Sequence, residues 1–131
     1  MDTLIAFDFG LKRIGVAVGN TFLKKPNPLS VIQANKNIIR FQFIENIINE
    51  WQPNKIIIGI PYRTNGSSHE MTTRCKRFAN QIQGRFGIET VLVDERYSSI
   101  VVSSKSKKAI DSVSAAIILQ QYFDSYELSS I

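Results

Sequence analysis

The sequence predicts an α/β domain built on a mixed five-stranded sheet, its first three strands antiparallel, with helices flanking it. Three observations carry this. A continuous apolar stretch too short for a helix opens the chain, a short alternating segment follows it, and two further apolar runs are each preceded by a helical stripe. Each helical crossover returns the chain parallel to the strand it left, so the sheet begins antiparallel and continues parallel.

Thr3 to Phe9, with Leu4, Ile5, Ala6 and Phe7 in a row, reads as a buried central strand. Gly10 to Arg13 can turn the chain, and Ile14, Val16 and Val18 alternate with small residues as an antiparallel partner would. Pro26 and Pro28 punctuate a loop, and Leu29 to Ala34 is a short third strand. From Asn35 to Asn37 a helix begins whose stripe is Phe41, Ile44, Ile47, Ile48 and Trp51, stopped by Pro53. Lys55 to Ile60 is a second buried strand, and Pro61 takes the chain out of the sheet. Met71, Cys75, Phe78, Ala79 and Ile82 mark the inner face of a helix ending at Gly84. Thr90 to Val93 is the last strand, Ser98 to Lys108 a loop rich in serine and lysine, and Ile110 to about Tyr126 a closing helix with Val113, Ala116, Ile117 and Gln120 as its repeating face.

At 131 residues and 44% hydrophobic, the chain is expected to form a single domain, residues 1–131, with a core that needs no staples. One cysteine, Cys75, allows no intramolecular disulfide. The start of the chain lacks the basic region of a signal peptide, and no apolar run approaches the roughly 18 to 20 residues of a membrane span, so a cytoplasmic protein without a membrane partner is expected. Sixteen basic against eleven acidic side chains give a charge of +5, which favours a polyanionic partner such as nucleic acid.

In open α/β sheets ligands gather beyond the carboxyl ends of the parallel strands. Asp8 stands at one such end, and Asp94-Glu95 at another. Side chains alternate faces there, so one of the pair should aim at the site, and spacing leaves open which. Asp111, at the head of the last helix, can reach the same edge, although an N-cap role explains it equally well. Clustered carboxylates repel unless divalent cations neutralise them, and hard oxygen donors suit Mg²⁺ or Mn²⁺. Two such ions would suit phosphodiester hydrolysis. Lys12, Arg13, Arg96, Ser98, Lys107 and Lys108 surround these positions and could hold phosphates, or could simply solvate loops. Arg74, Lys76, Arg77 and Arg85 form another basic patch, for which ordinary helix solvation is the simpler reading. His69 is the only histidine, which disfavours a zinc site and triad chemistry.

Four motifs in order, Phe7-Asp8-Phe9-Gly10-Leu11-Lys12-Arg13-Ile14-Gly15-Val16-Ala17, Gly59-Ile60-Pro61, Asp94-Glu95-Arg96 and Ile110-Asp111-Ser112-Val113-Ser114-Ala115-Ala116, resemble the bacterial "putative pre-16S rRNA nuclease" family. That family is also called YqgF or RuvX and was once described as a Holliday junction resolvase. The resemblance implies a ribonuclease H-like fold and hydrolytic trimming near the 5′ end of precursor 16S rRNA during ribosome assembly. It also implies Asp8, Glu95 and Asp111 as the catalytic, metal-binding carboxylates, with Asp94 in a supporting role. The chain departs from the family pattern in having Asn65 before Gly66, Arg63 where Asn is common, and a short segment 97–108, departures that bear on substrate grip and activity.

Three other readings compete. A resolvase-like nuclease would cut DNA junctions. A non-catalytic RNA-binding assembly factor would keep the fold without turnover. A phosphate-handling ATPase of the actin and hexokinase type also begins Asp8-Phe9-Gly10 and a hairpin, but it needs two such domains to enclose its nucleotide. A monomer or weak homodimer is expected, with Tyr122, Phe123 and Leu128 available either to a dimer contact or to the core.

Overall fold

The computed structural model describes residues 2–33, 36–62, 65–66, 70–95 and 112–129, with side chains of the last segment as far as Ser125. The strands are β1 (Thr3–Phe9), β2 (Arg13–Asn20), β3 (Asn27–Gln33), β4 (Lys55–Ile60) and β5 (Glu89–Asp94). The helices are α1 (Asn37–Trp51), α2 (Glu70–Phe86) and α3 (Ser112–Ser129). The sheet order is β3-β2-β1-β4-β5. β1 pairs antiparallel with β2 and parallel with β4, β2 antiparallel with β3, and β4 parallel with β5. The mixed sheet expected from the sequence is thus observed. Because β3 and β1 are both antiparallel to β2, four strands run the same way and end at one edge, here called the carboxyl edge.

β1 is central and apolar on both faces because each face carries helices. Ile5 and Phe7 join Ile14, Val16, Ile56, Ile58 and Ile60 against Phe41, Ile44 and Ile48 of α1 and Cys75, Phe78, Ala79 and Ile82 of α2. Phe78 is the hub of that core, stacked on Phe9 at 4.6 Å between centroids and edge-on to Phe7 at 5.9 Å. The even-numbered residues Leu4 and Ala6 turn the other way and join Ile57 beneath Ile118, Leu119 and Phe123 of α3. Asp8 continues this even-numbered row.

Several boundaries differ from those read in the sequence. Pro28 lies inside β3, opposite Ala17, rather than in a loop. An edge strand tolerates a residue without N–H, and the register shifts beside it between Val16 and Ala17. α2 runs past Gly84, whose missing side chain faces open space, and ends where Gly87 takes a positive φ of 64°. α1 ends as expected before Pro53, with Gln52 left-handed and its N–H bonded to the Ile48 carbonyl at 2.7 Å. Trp51, expected on the buried stripe, is instead 36% exposed.

The buried face of α3 is also not the expected one. Ala115, Ile118, Leu119 and Phe123 are buried, whereas Val113 is 56% exposed. From Val113 to Leu119 every residue but Ser114 is apolar, so helical period alone selects no face. The sheet selects it, by offering small residues that admit the large ones. A Cβ on Gly19 would lie 3.1 Å from Leu119 Cδ2 and 3.4 Å from the Phe123 ring. Phe123 therefore finishes the core, one of the two roles left open for it. No helix among the described residues is long and apolar enough to cross a membrane.

Candidate active site

The carboxyl edge gathers the chemistry. Asp8 is buried at the penultimate position of β1, paired with Gly15 of β2 on one side. On the other side, one step beyond the Phe7–Ile58 pair, lies Gly59 of β4. Glycine on both flanks puts no Cβ beside Asp8 on the neighbouring strands. On β5, Val91 and Val93 pack toward α3, so the alternation carries Glu95 to the same side as Asp8. A Cβ built on Gly59 would meet Glu95 Oε2 at 2.8 Å and Ile118 Cδ1 at 2.6 Å. The Glu95 carboxylate thus occupies the volume that the absent side chain of residue 59 leaves free. Asp94 is paired with Ile60, which packs in the opposite core. Its carbonyl accepts a hydrogen bond from Gln121 Nε2 of α3 at 2.7 Å, tying that helix to the end of β5.

Electrostatics point to the same convergence. Burial pushes the Cys75 thiol up from 9.0 to about 12, and the negative charges of Glu95 and then Asp8 add to the shift. A single thiol on α2 therefore feels both carboxylates through the sheet edge. Thr72, one turn earlier on α2, donates a hydrogen bond to the Pro61 carbonyl and fixes the chain as it leaves β4.

Lys12 and Arg13 are exposed on the β1–β2 connection at this same edge. Arg96, Ser98, Lys107, Lys108 and Asp111 lie outside the described residues, as do Arg63, His69 and the segment 97–108. Among the described residues, no group of three or more His, Cys, Asp or Glu side chains is gathered closely enough to hold a metal ion.

Two features escaped the sequence reading. Gly59 was legible as a turn but not as the space for a carboxylate. Arg40 was overlooked, although it sits one residue before Phe41 on the inner stripe of α1, an unusual place for a cation. It is 3% exposed, donates from Nη2 to the Gly10 carbonyl at 3.0 Å and stands over the Phe9 ring at 5.2 Å. It thereby anchors the turn that follows Asp8. Burial lowers its pKa from the ordinary arginine value.

Residues 2–125 match the family described as RuvX, Holliday junction resolvase. The chain belongs to the RuvX family. Relatives named "Putative pre-16S rRNA nuclease" include one from Paraburkholderia xenovorans, 44% identical over 93% of this chain and 88% of the relative. Another, from Bordetella avium, is 45% identical over 94% of this chain and 95% of its own length. Among solved structures, Thermus thermophilus RuvC in complex with a Holliday junction substrate superposes with a TM-score of 0.64. It is 10% identical, and the match covers 98% of this chain and 97% of RuvC. At that identity the likeness bears on the fold, which is ribonuclease H-like. An archaeal Pelota protein from Archaeoglobus fulgidus superposes with a TM-score of 0.53 over 98% of this RuvX-family chain but only 35% of Pelota. Membership in RuvX and this fold support a hydrolase acting on phosphodiester bonds.

Proposed function

We propose that this chain is a single-domain, divalent-metal-dependent nuclease that processes the 5′ end of precursor 16S rRNA in the cytoplasm. The observation that carries the reading is the Glu95 carboxylate seated over Gly59, one register step from the buried Asp8, on the edge where the parallel strands end. The names borne by relatives 43–45% identical over most of their length support RNA as the substrate.

The donor set fits a hard divalent cation: two carboxylates, one of them buried and the other seated where Gly59 lacks a side chain. Asp8, Glu95 and Asp111 are assigned as its ligands. Asp111 stands in sequence immediately before α3, whose Ala115 and Ile118 are buried against the sheet. Bound there, Mg²⁺ or Mn²⁺ would neutralise the crowded carboxylates and polarise water and phosphate at neutral pH. Residues of the chain do the rest. Ile118 walls the site on the helix side, Arg40 fixes the turn after Asp8, and Lys12 and Arg13 offer charge to phosphates beside the scissile one. Arg96, Ser98, Lys107 and Lys108 are assigned the same duty.

The test is cleavage of an RNA carrying a 16S precursor 5′ leader, with Mn²⁺, Mg²⁺ or EDTA, by wild type, Asp8→Asn and Asp111→Asn. Cleavage should need metal and vanish in both variants. Binding without cleavage by wild type, unchanged in both variants, would instead identify an assembly factor. Preferential cutting of a four-way DNA junction would identify a resolvase.

A further inference from the structure

The basic patch on α2 is not solvated uniformly. Arg74 and Arg77, one turn apart, open onto a surface pocket of about 200 Å³ that they share with Phe9 at the end of β1, Leu11 of the β1–β2 turn, and Asn37 and Arg40 of α1. No acidic side chain among the described residues lines it. Among the described residues, neither Arg74 nor Arg77 makes a hydrogen bond or ion pair. Asn37, in the first turn of α1, lines this pocket. Lys36 at the N-cap makes no side-chain cap bond, and no acidic residue occupies the first turn. A helix N-terminus in that condition favours an anion. Three guanidinium groups, planar forks matched to phosphate oxygens, then surround a space with room for several waters at about 30 Å³ each.

Topology places this pocket relative to the carboxylates. Phe9 follows Asp8 directly, and α1 and α2 both begin at the carboxyl edge after β3 and β4. The pocket and the carboxylates therefore lie on opposite faces of the sheet at one edge, with the turn from Gly10 to Arg13 between them. We infer that the Arg40, Arg74 and Arg77 pocket holds a backbone phosphate of the nucleic-acid strand away from the scissile bond, guiding the strand across the β1–β2 turn into the carboxylate site. This rests on the nuclease reading for what happens at Asp8, but it is a binding claim with its own readout.

The experiment is fluorescence anisotropy of a labelled single-stranded RNA in EDTA, where nothing can be cut, as a function of salt. Arg74→Ala and Arg77→Ala are compared with Lys25→Ala, which removes an exposed charge beyond the opposite end of β2. Both arginines are exposed, so the fold should survive, and melting curves verify it. Each pocket variant should weaken binding about 5- to 10-fold and reduce the salt slope by about 0.7, the value for one phosphate contact on a single strand. Lysine at both positions should restore most of the slope, and Lys25→Ala should change neither quantity. Cleavage of bis(p-nitrophenyl) phosphate, which spans only the carboxylate site, should be unaltered. Affinity and slope indistinguishable from Lys25→Ala would overturn the inference. So would inorganic phosphate shifting the arginine side-chain resonances while RNA affinity in the variants stays at the wild-type level, since that marks a free-anion site. Should wild type cut no RNA under any metal while the pocket variants still bind it less tightly, the nuclease reading fails and the pocket stands.

Discussion

Gly59 shows how much one missing carbon can decide. Its Cβ position is claimed by both Glu95 Oε2 and Ile118, so Gly59→Ala must displace a carboxylate, a helix or both. Overpacking of this kind costs about 1–3 kcal/mol. A shift of about 1 Å in a reacting group can cost about 100-fold in rate. The variant should therefore melt lower and lose at least that much metal-dependent cleavage while still binding RNA. Unchanged cleavage would mean that the Glu95 position is immaterial to turnover. Cys75 supplies a second prediction at this scale. Its thiol titrates near 12 in the folded protein against 9.0 ordinarily, so the folded state holds its proton where the unfolded state has lost it. The stability this contributes is full below pH 9 and declines as pH rises from about 9 toward 12. Urea titrations should show that alkaline decline in wild type and a flatter profile in Cys75→Ala, both without added metal. Iodoacetamide at pH 8 should leave native Cys75 unmodified.

At the scale of elements, what was legible depended on whether a segment carried an unambiguous period. β1 and β4 were read with their observed boundaries because each is an uninterrupted apolar run bounded by a turn. The face of α3 was misread because its first two turns are apolar all round, and only the small residues of the sheet beneath choose among the rotations. That choice is testable. Leu119→Ala should cost about 2–5 kcal/mol and Phe123→Ala about 3–5 kcal/mol, since both are fully packed, as measured by urea unfolding. Val113→Ala should stay within about 0.5 kcal/mol. Equal losses at Val113 and Leu119 would return the helix to the rotation expected from sequence. Pro28 was misplaced for a related reason. Proline excludes central strands but not edges, and edge position is a property of the sheet, invisible in the local sequence.

For the molecule as a whole, strand direction followed from the order of elements, because helical crossovers return the chain parallel to the strand it left. The choice between Asp94 and Glu95 did not follow from spacing. The family resemblance implied Glu95, and only the assembled sheet brings its carboxylate over Gly59. Arg40 and its pocket were out of reach for the same reason, since they join α1, α2 and a turn far apart in the chain. The contact over Gly59 has a temporal side. Its participants are residues 59, 95 and 118, and Asp8 stands beside them, so the site draws on most of the length of the chain. During synthesis residue 8 is made well before residue 95, and residue 118 later still. On the reading proposed above, the site is therefore complete only once α3 docks on the finished sheet.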